Sequence, residues 1–266
     1  MIQKLLLVII LFITLWTPIN GQAHSHEEEV QSLMLNFIMD DALWLAQTER
    51  YIEAHHLLEI FSEEFTKMMA ENPQLQMAEV RIISVAHQQT LASLSDTTLP
   101  HEEKIRQLKK MRLVVDAMTS KYQPMWVAME DPIIMTFQQL KDTIDTRDAA
   151  SYQQMYQRLL LEYDMIHPSV RMDIKPEQIQ KVDAHMEYLD KNRDALLAHS
   201  EEFNDVEVIE ADLKALFKEF KEDETDPALL WVMISTGSII LLTLFYVGFR
   251  KYFAARRLEL RKKQKD

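Results

Sequence analysis

Residues 51–71 read YIEAHHLLEIFSEEFTKMMAE, and within them Tyr51, Ala54, Leu58, Phe61, Phe65 and Met68 recur at spacings of three and four. That interval places six apolar side chains on one stripe of an α-helix and the charged residues on the opposite face. Working outward, the same period returns along the chain. On the N-terminal side stand Val30, Leu33, Phe37 and Trp44, with Asp41 on the same face. On the C-terminal side come Val80, Ile83, His87 and Leu91, then Leu108, Met111, Val115, Met118 and Tyr122. Ile133, Phe137, Leu140 and Ile144 follow, then Tyr152, Tyr156, Leu159, Tyr163 and Ile166. Ile179, Val182, Met186 and Leu189 precede the last set, Val206, Ile209, Leu213, Leu216 and Phe220.

No glycine occurs between His24 and Pro227, so tight Asn-Gly hairpins cannot form, and strand-like alternation is nowhere sustained. Pro100 and Pro176 precede acidic first turns and mark helix starts. Asn72-Pro73 and His167-Pro168 are expected to close the helices before them, because proline disfavours helical backbone in the residue ahead of it. The expectation is an all-α fold: a bundle or helical-hairpin array of about eight helices, each burying its neighbours' stripes. With no cysteine in 266 residues, no disulfide or thiolate metal site supports it. Each buried Leu, Phe or Met must then supply on the order of 1.5–3 kcal/mol.

The stripes fall into two sets. Thr48-Glu49-Arg50 and Thr146-Arg147-Asp148 lie 98 residues apart, as do Phe65/Tyr163, Leu108/Val206, Met111/Ile209, Val115/Leu213, Met118/Leu216 and Tyr122/Phe220. Val80/Ile179 and Ile83/Val182 match with a slip of one. This suggests a two-fold repeat of 27–122 and 125–220, set against chance coincidence of helical periods. Arg50-Tyr51-Ile52-Glu53-Ala54 resembles a tetratricopeptide turn, but the other landmarks of that repeat do not line up.

The two ends differ from the middle. Residues 1–17, MIQKLLLVIILFITLWT, carry Lys4 and then an uncharged run from Leu5 to Trp16, and Gly21-Gln22-Ala23 supplies small residues for cleavage. Residues 1–23 are therefore expected to be a signal peptide, with His24 as the mature N-terminus. Residues 228–249, ALLWVMISTGSIILLTLFYVGF, hold no charge, and 22 of them reach about 33 Å as a helix, enough to cross a bilayer core. After Phe249 eight basic residues stand against Glu259 and Asp266. The positive-inside rule puts that 250–266 tail in the cytoplasm and residues 24–227 outside. Ser235, Gly237 and Ser238 allow close helix contact within the span.

Of the 29 basic and 42 acidic residues, 20 and 40 lie in 24–227. A surface with that excess of carboxylates repels phosphates, so nucleic acid and flat docking on anionic lipid are disfavoured. Membrane lipid remains a partner for the span and the basic tail.

Chemistry is sparse. His55-His56 with Glu53 and Glu59 is the best metal candidate, since Glu53 and His56 have the Glu-x-x-His spacing of di-iron bundles. A second such motif is missing; Asp164 before His167 is the nearest approach. A mature His24-Ser25-His26 terminus could wrap Cu(II) or Ni(II) in nitrogens. Met111, Met118, Met125 and Met129 at helical spacing read as core filling, and His87 as a hydrogen-bonded core histidine. No nucleophile elbow, phosphate-binding glycine loop or reactive cysteine is present, so no catalytic residue, metal site or cofactor is assigned and no enzyme activity is expected.

The leader, the glycine-free acidic helical region, the single C-terminal span and the short basic tail together resemble the sporulation protein YpjB family of endospore-forming Bacillus-type bacteria. That resemblance implies a role in spore formation without implying a mechanism. The expected function is contact with an envelope protein partner through the exported domain, self-association included. The alternative is a metal- or small-ligand-binding domain using His24/His26 or His55/His56.

Overall fold

The structure, a computed structural model, describes residues 23–71, 76–120, 123–198, 203–221 and 227–263. Among them are ten α-helices and no strand: α1 (Ala23–Gln47), α2 (Tyr51–Glu71), α3 (Met77–Ser95), α4 (His101–Thr119), α5 (Glu130–Thr146), α6 (Ala149–Asp173), α7 (Pro176–Lys191), α8 (Arg193–Ala198), α9 (Phe203–Lys221) and α10 (Pro227–Lys263). A 3₁₀ turn, Met125–Met129, precedes α5. The all-α expectation holds. The expected signal peptide, 1–23, lies outside the described residues except for Ala23.

Helices α1 to α4 form a closed four-helix bundle, with α1 against α2 and α4, and α3 against the same two. Leu35, Met39, Leu58, Phe61, Ile83, Leu108, Met111 and Val115 fill its centre. Helices α5, α6, α7 and α9 form the second group: α6 packs on α5 and α7, and α9 is tied to α5 by Lys141–Glu210 at 2.7 Å and to α7 by Lys181–Asp212 at 2.8 Å. The two groups meet where α4 packs on α6. These up-and-down bundles with short connections are what gapless apolar stripes on consecutive helices produce.

Core positions recur at the 98-residue offset. Leu35, Met39, Ala42 and Ala46 of α1 answer to Ile133, Phe137, Leu140 and Ile144 of α5, all buried. Ala54, Leu58, Phe61, Phe65 and Met68 of α2 answer in the same way to Tyr152, Tyr156, Leu159, Tyr163 and Ile166 of α6. Glu49 (φ 60°) and Arg147 (φ 56°), also 98 apart, are the non-glycine residues with left-handed backbone among those described. Arg50 N–H donates to Leu45 O and Asp148 N–H to Thr143 O, the same turn twice. A helix exit of this kind favours glycine; with none available, each copy accepts the strain on a long polar residue.

Three features depart from the sequence expectations. In α1 the stripe Val30, Leu33, Phe37 and Trp44 is exposed, and Leu35, Ile38, Met39, Ala42 and Ala46 form the buried face. This helix is apolar on both sides, so period alone does not choose; Ala42 and Ala46 win because small residues let α1 and α2 approach closely at Ala54. Pro168 does not close its helix, which runs on to Asp173. The lost backbone bond is offset by burial of Ile166 and Val170 and by Asp183 of α7, which accepts from Tyr163 Oη at 2.9 Å and pairs with His167. The six-residue α8, whose buried residue is Leu196, adds a helix beyond the expected eight because so short a segment is too brief to show a repeating stripe.

The linker between the bundles is fastened at two adjacent residues. Trp126 is fully buried, and its Nε1 donates to Asp173 Oδ2 at 2.6 Å, while Asp116 Oδ2 accepts from Met125 N–H at 2.5 Å. Burial, with Asp116 and Glu79 nearby, pushes the Asp173 carboxyl up to about 6 despite the Trp126 bond.

Residues 217–266 are a separate unit. Within α10, Trp231–Gly248 is the stretch long and apolar enough among the described residues to cross a membrane, which fits a membrane protein. The helix continues without a break from this stretch through the start of the basic tail to Lys263.

Two outcomes test this packing. Phe61→Ala should cost about 3–5 kcal/mol by cavity formation, whereas Phe37→Ala should change stability by less than about 0.5 kcal/mol, both measured by urea unfolding of the full chain in detergent. Asp173 holds its proton more tightly folded than unfolded, so stability declines as pH rises from about 4 to 6 and stays reduced above that. Asp173→Asn keeps an acceptor for Trp126 and removes the charge; it should be more stable than the parent by about 1 kcal/mol at pH 7.5, after allowance for partial solvent screening, and lose that advantage by pH 4.

Candidate functional site

The residues singled out by sequence do not assemble. His55 Nδ1 and His56 Nδ1 both face Glu59, at 3.7 and 3.1 Å, but Glu53 pairs with Arg50 at 3.1 Å instead of joining them. All lie on the solvent side of α2, so the Glu53/His56 spacing is not matched by carboxylates from a facing helix. Among the described residues no group of three or more His, Asp or Glu side chains is placed to hold a metal ion. The side chains of His24 and His26 lie outside the described residues. His87 Nε2 bonds the Leu58 carbonyl at 2.8 Å and its ring stacks on Phe61 at 5.8 Å. Met111 is buried, whereas Met125 is 47% exposed and packs no core.

What the structure does assemble is a groove of about 1240 Å³ between α3 and α7, with its floor on α6 and a contribution from α4. Its helices come from both bundles, and it opens because α3 and α7 are held by their own neighbours on either side of the α4–α6 contact. The lining is apolar along Met77, Val80, Ile82 and Val85 on α3, and along Pro168 and Ile179 opposite. Met77 is 82% exposed and Val85 45%, large values for side chains of that kind in a concave surface.

The charges around the groove oppose the charge of the domain. Lys110 reaches Asp164 at 2.7 Å, and His167 pairs with Asp183 at 3.2 Å. Arg81 and Arg171 line the groove, are exposed, and form no ion pair among the described residues. Two unpaired guanidiniums beside an apolar trough, in a region with twice as many acids as bases, give the groove a local charge that complements acidic groups. Small-molecule sites run to about 300–1,000 Å³ and enclose their ligand; this one is larger and partly open to solvent.

Sequence reading missed these residues for a physical reason. Arg81 and Arg171 are 90 positions apart, and their shared groove is created by the α4–α6 contact, which leaves no local pattern. The available signal was α3 itself, where Val80, Ile82, Ile83, Val85 and Ala86 give more apolar surface than one core stripe uses.

Comparison with known proteins bears on the biological setting. The family described as sporulation protein YpjB (SpoYpjB) matches over residues 33–263. The chain is also 30% identical over 224 residues to a Bacillus subtilis (strain 168) protein named "Uncharacterized protein YpjB", covering 84% of this chain and 85% of that one. No solved structure matches. With the family match spanning both bundles and the apolar α10, the chain belongs to the YpjB family of sporulation proteins.

Proposed function

We propose that residues 24–227 form an exported docking domain, held at the cell membrane by α10, that contributes to spore formation through protein–protein contact and carries out no catalytic step. The observation that carries this reading is the open α3/α7 groove with its exposed Met77 and Val85 and its unpaired Arg81 and Arg171. An apolar surface left open by both bundles stabilises nothing in the monomer, and such surfaces mark sites of association. The outward orientation rests on the leader at one end and on the eight basic residues that follow Phe249 at the other. The tail also gives anionic lipid a place to bind on the inner face.

The reading is tested in sporulating cells with the double variant Met77→Glu/Val85→Glu. Both side chains are solvent-facing, so the protein should accumulate at its normal level while heat-resistant spore counts fall about tenfold or more. Unchanged spore counts at unchanged protein level would refute the docking role. Protease added to intact protoplasts should digest the domain from outside; protection until lysis would refute the orientation.

A further inference from the structure

The exposed face of α1 has the shape and chemistry that the groove lacks. Val30, Leu33, Met34, Phe37 and Trp44 are between 43% and 66% exposed, and their spacing lines them along one side of the helix with Asp41 among them. The fold does not call for this face. At the positions 98 residues on, α5 carries Asp131, Pro132, Met135 and Asp142 in place of Leu33, Met34, Phe37 and Trp44, and the second bundle closes all the same. A large aromatic surface kept in one copy and replaced in the other by two aspartates, a proline and a methionine is a feature of contact, not of folding.

Resting on the docking reading above, we propose that the occupant of the α3/α7 groove is the α1 face of a second copy of this chain. Three properties match. Anchors at i, i+3, i+7 and i+14 are those of a helix laid in a groove. From Val30 to Trp44 the helix rises about 21 Å, and from Met77 to Gln89, the length of α3 lining the groove, it rises about 18 Å. The charges are complementary: Asp41 is exposed on α1 with Glu27-Glu28-Glu29 ahead of it in sequence, and Arg81 and Arg171 wait unpaired in the groove. The two surfaces are different patches of one chain, so the contact is head-to-tail and each copy offers a free groove and a free helix to further copies. Anchored copies would join side by side as rows or rings.

The chain has no cysteine, which makes crosslinking clean. Full-length Phe37→Cys and full-length Val85→Cys, in membrane vesicles and treated with a short bismaleimide, should give a covalent dimer when mixed and little when either is alone. Arg81→Glu/Arg171→Glu in the Val85→Cys copy should cut that dimer about tenfold, and Asp41→Arg in the Phe37→Cys copy should restore it, as expected of opposed charges across a contact. Circular dichroism of each variant checks that the helices persist. Dimer from Phe37→Cys alone, equal to the mixture, would overturn the proposal in favour of a symmetric α1–α1 contact. Absence of dimer in every mixture, with folded protein, would overturn self-docking; if spore counts still fell in Met77→Glu/Val85→Glu, the docking role would stand with a different partner. Strong, charge-dependent dimer with normal spore counts in that variant would uphold the contact and remove its assigned role.

Discussion

The packing of α4 against α6 is the contact on which the rest of the domain depends. Each helix is already an inner member of its own bundle, α4 held by α1 and α3 and α6 by α5 and α7. Joining the bundles through them leaves α3 and α7 flanking the seam, with α3 touching α6 across it. The linker reinforces the seam: its 3₁₀ turn touches α4, α5 and α6 and buries Trp126 against the Asp173 carboxylate. The groove therefore lies beside the α4–α6 contact and the smaller α3–α6 contact that accompanies it.

Within the bundles, the same physical job is done twice with different residues. Arg112 of α4 joins α1 through Asp40 at 2.6 Å and Asn36 at 2.7 Å. At the position 98 residues on, Glu210 of α9 joins α5 through Lys141, and with Lys214 also donating, its carboxyl is held down at about 2. The sign of the charge is reversed and the link between first and last helix is kept. Likewise Leu58 and Phe65 in α2 are answered by Tyr156 and Tyr163 in α6. Their hydroxyls reach the Met186 carbonyl and the Asp183 carboxylate of α7. Burial raises both phenols above their usual range, helped by the nearby Asp190 charge at Tyr156 and by the Asp183 bond at Tyr163.

How much of this could be read from the chain depended on whether an element had one apolar face or two. Helices α2, α5, α6, α7 and α9 each carry a single stripe, and nearly every residue expected inside is inside, from Phe61 to Leu216. Helix α1 carries two, and choosing the bulkier one, with Phe37 and Trp44, puts solvent and core the wrong way round. What decides is steric fit between Ala42, Ala46 and Ala54 on two different helices, and a one-dimensional pattern does not contain it. Pro168 shows the same limit in the backbone: its local preference is overruled by Tyr163, His167 and Asp183. The groove was less legible still, because its lining is drawn from four helices of two bundles. The His55/His56 pair was legible as a motif yet remains a solvated helix face, since spacing along one helix says nothing about what faces it.

Charge explains why such a groove would be selective. At long range the domain's excess carboxylates set a negative potential, which opposes the approach of phosphate-rich surfaces. An acidic helix pays that repulsion as well, so Arg81 and Arg171 alone would not hold it; exposed pairs contribute only about 0–1 kcal/mol each. The apolar trough must supply most of the affinity, while the arginines fix direction and register. An occupant lacking aromatic or aliphatic anchors gains too little to overcome the field, and one lacking acids leaves two guanidiniums desolvated beside hydrocarbon. Only a surface with both, greasy along its centre and acidic at its margin, satisfies the two requirements together, and α1 is a described element of this chain that has both.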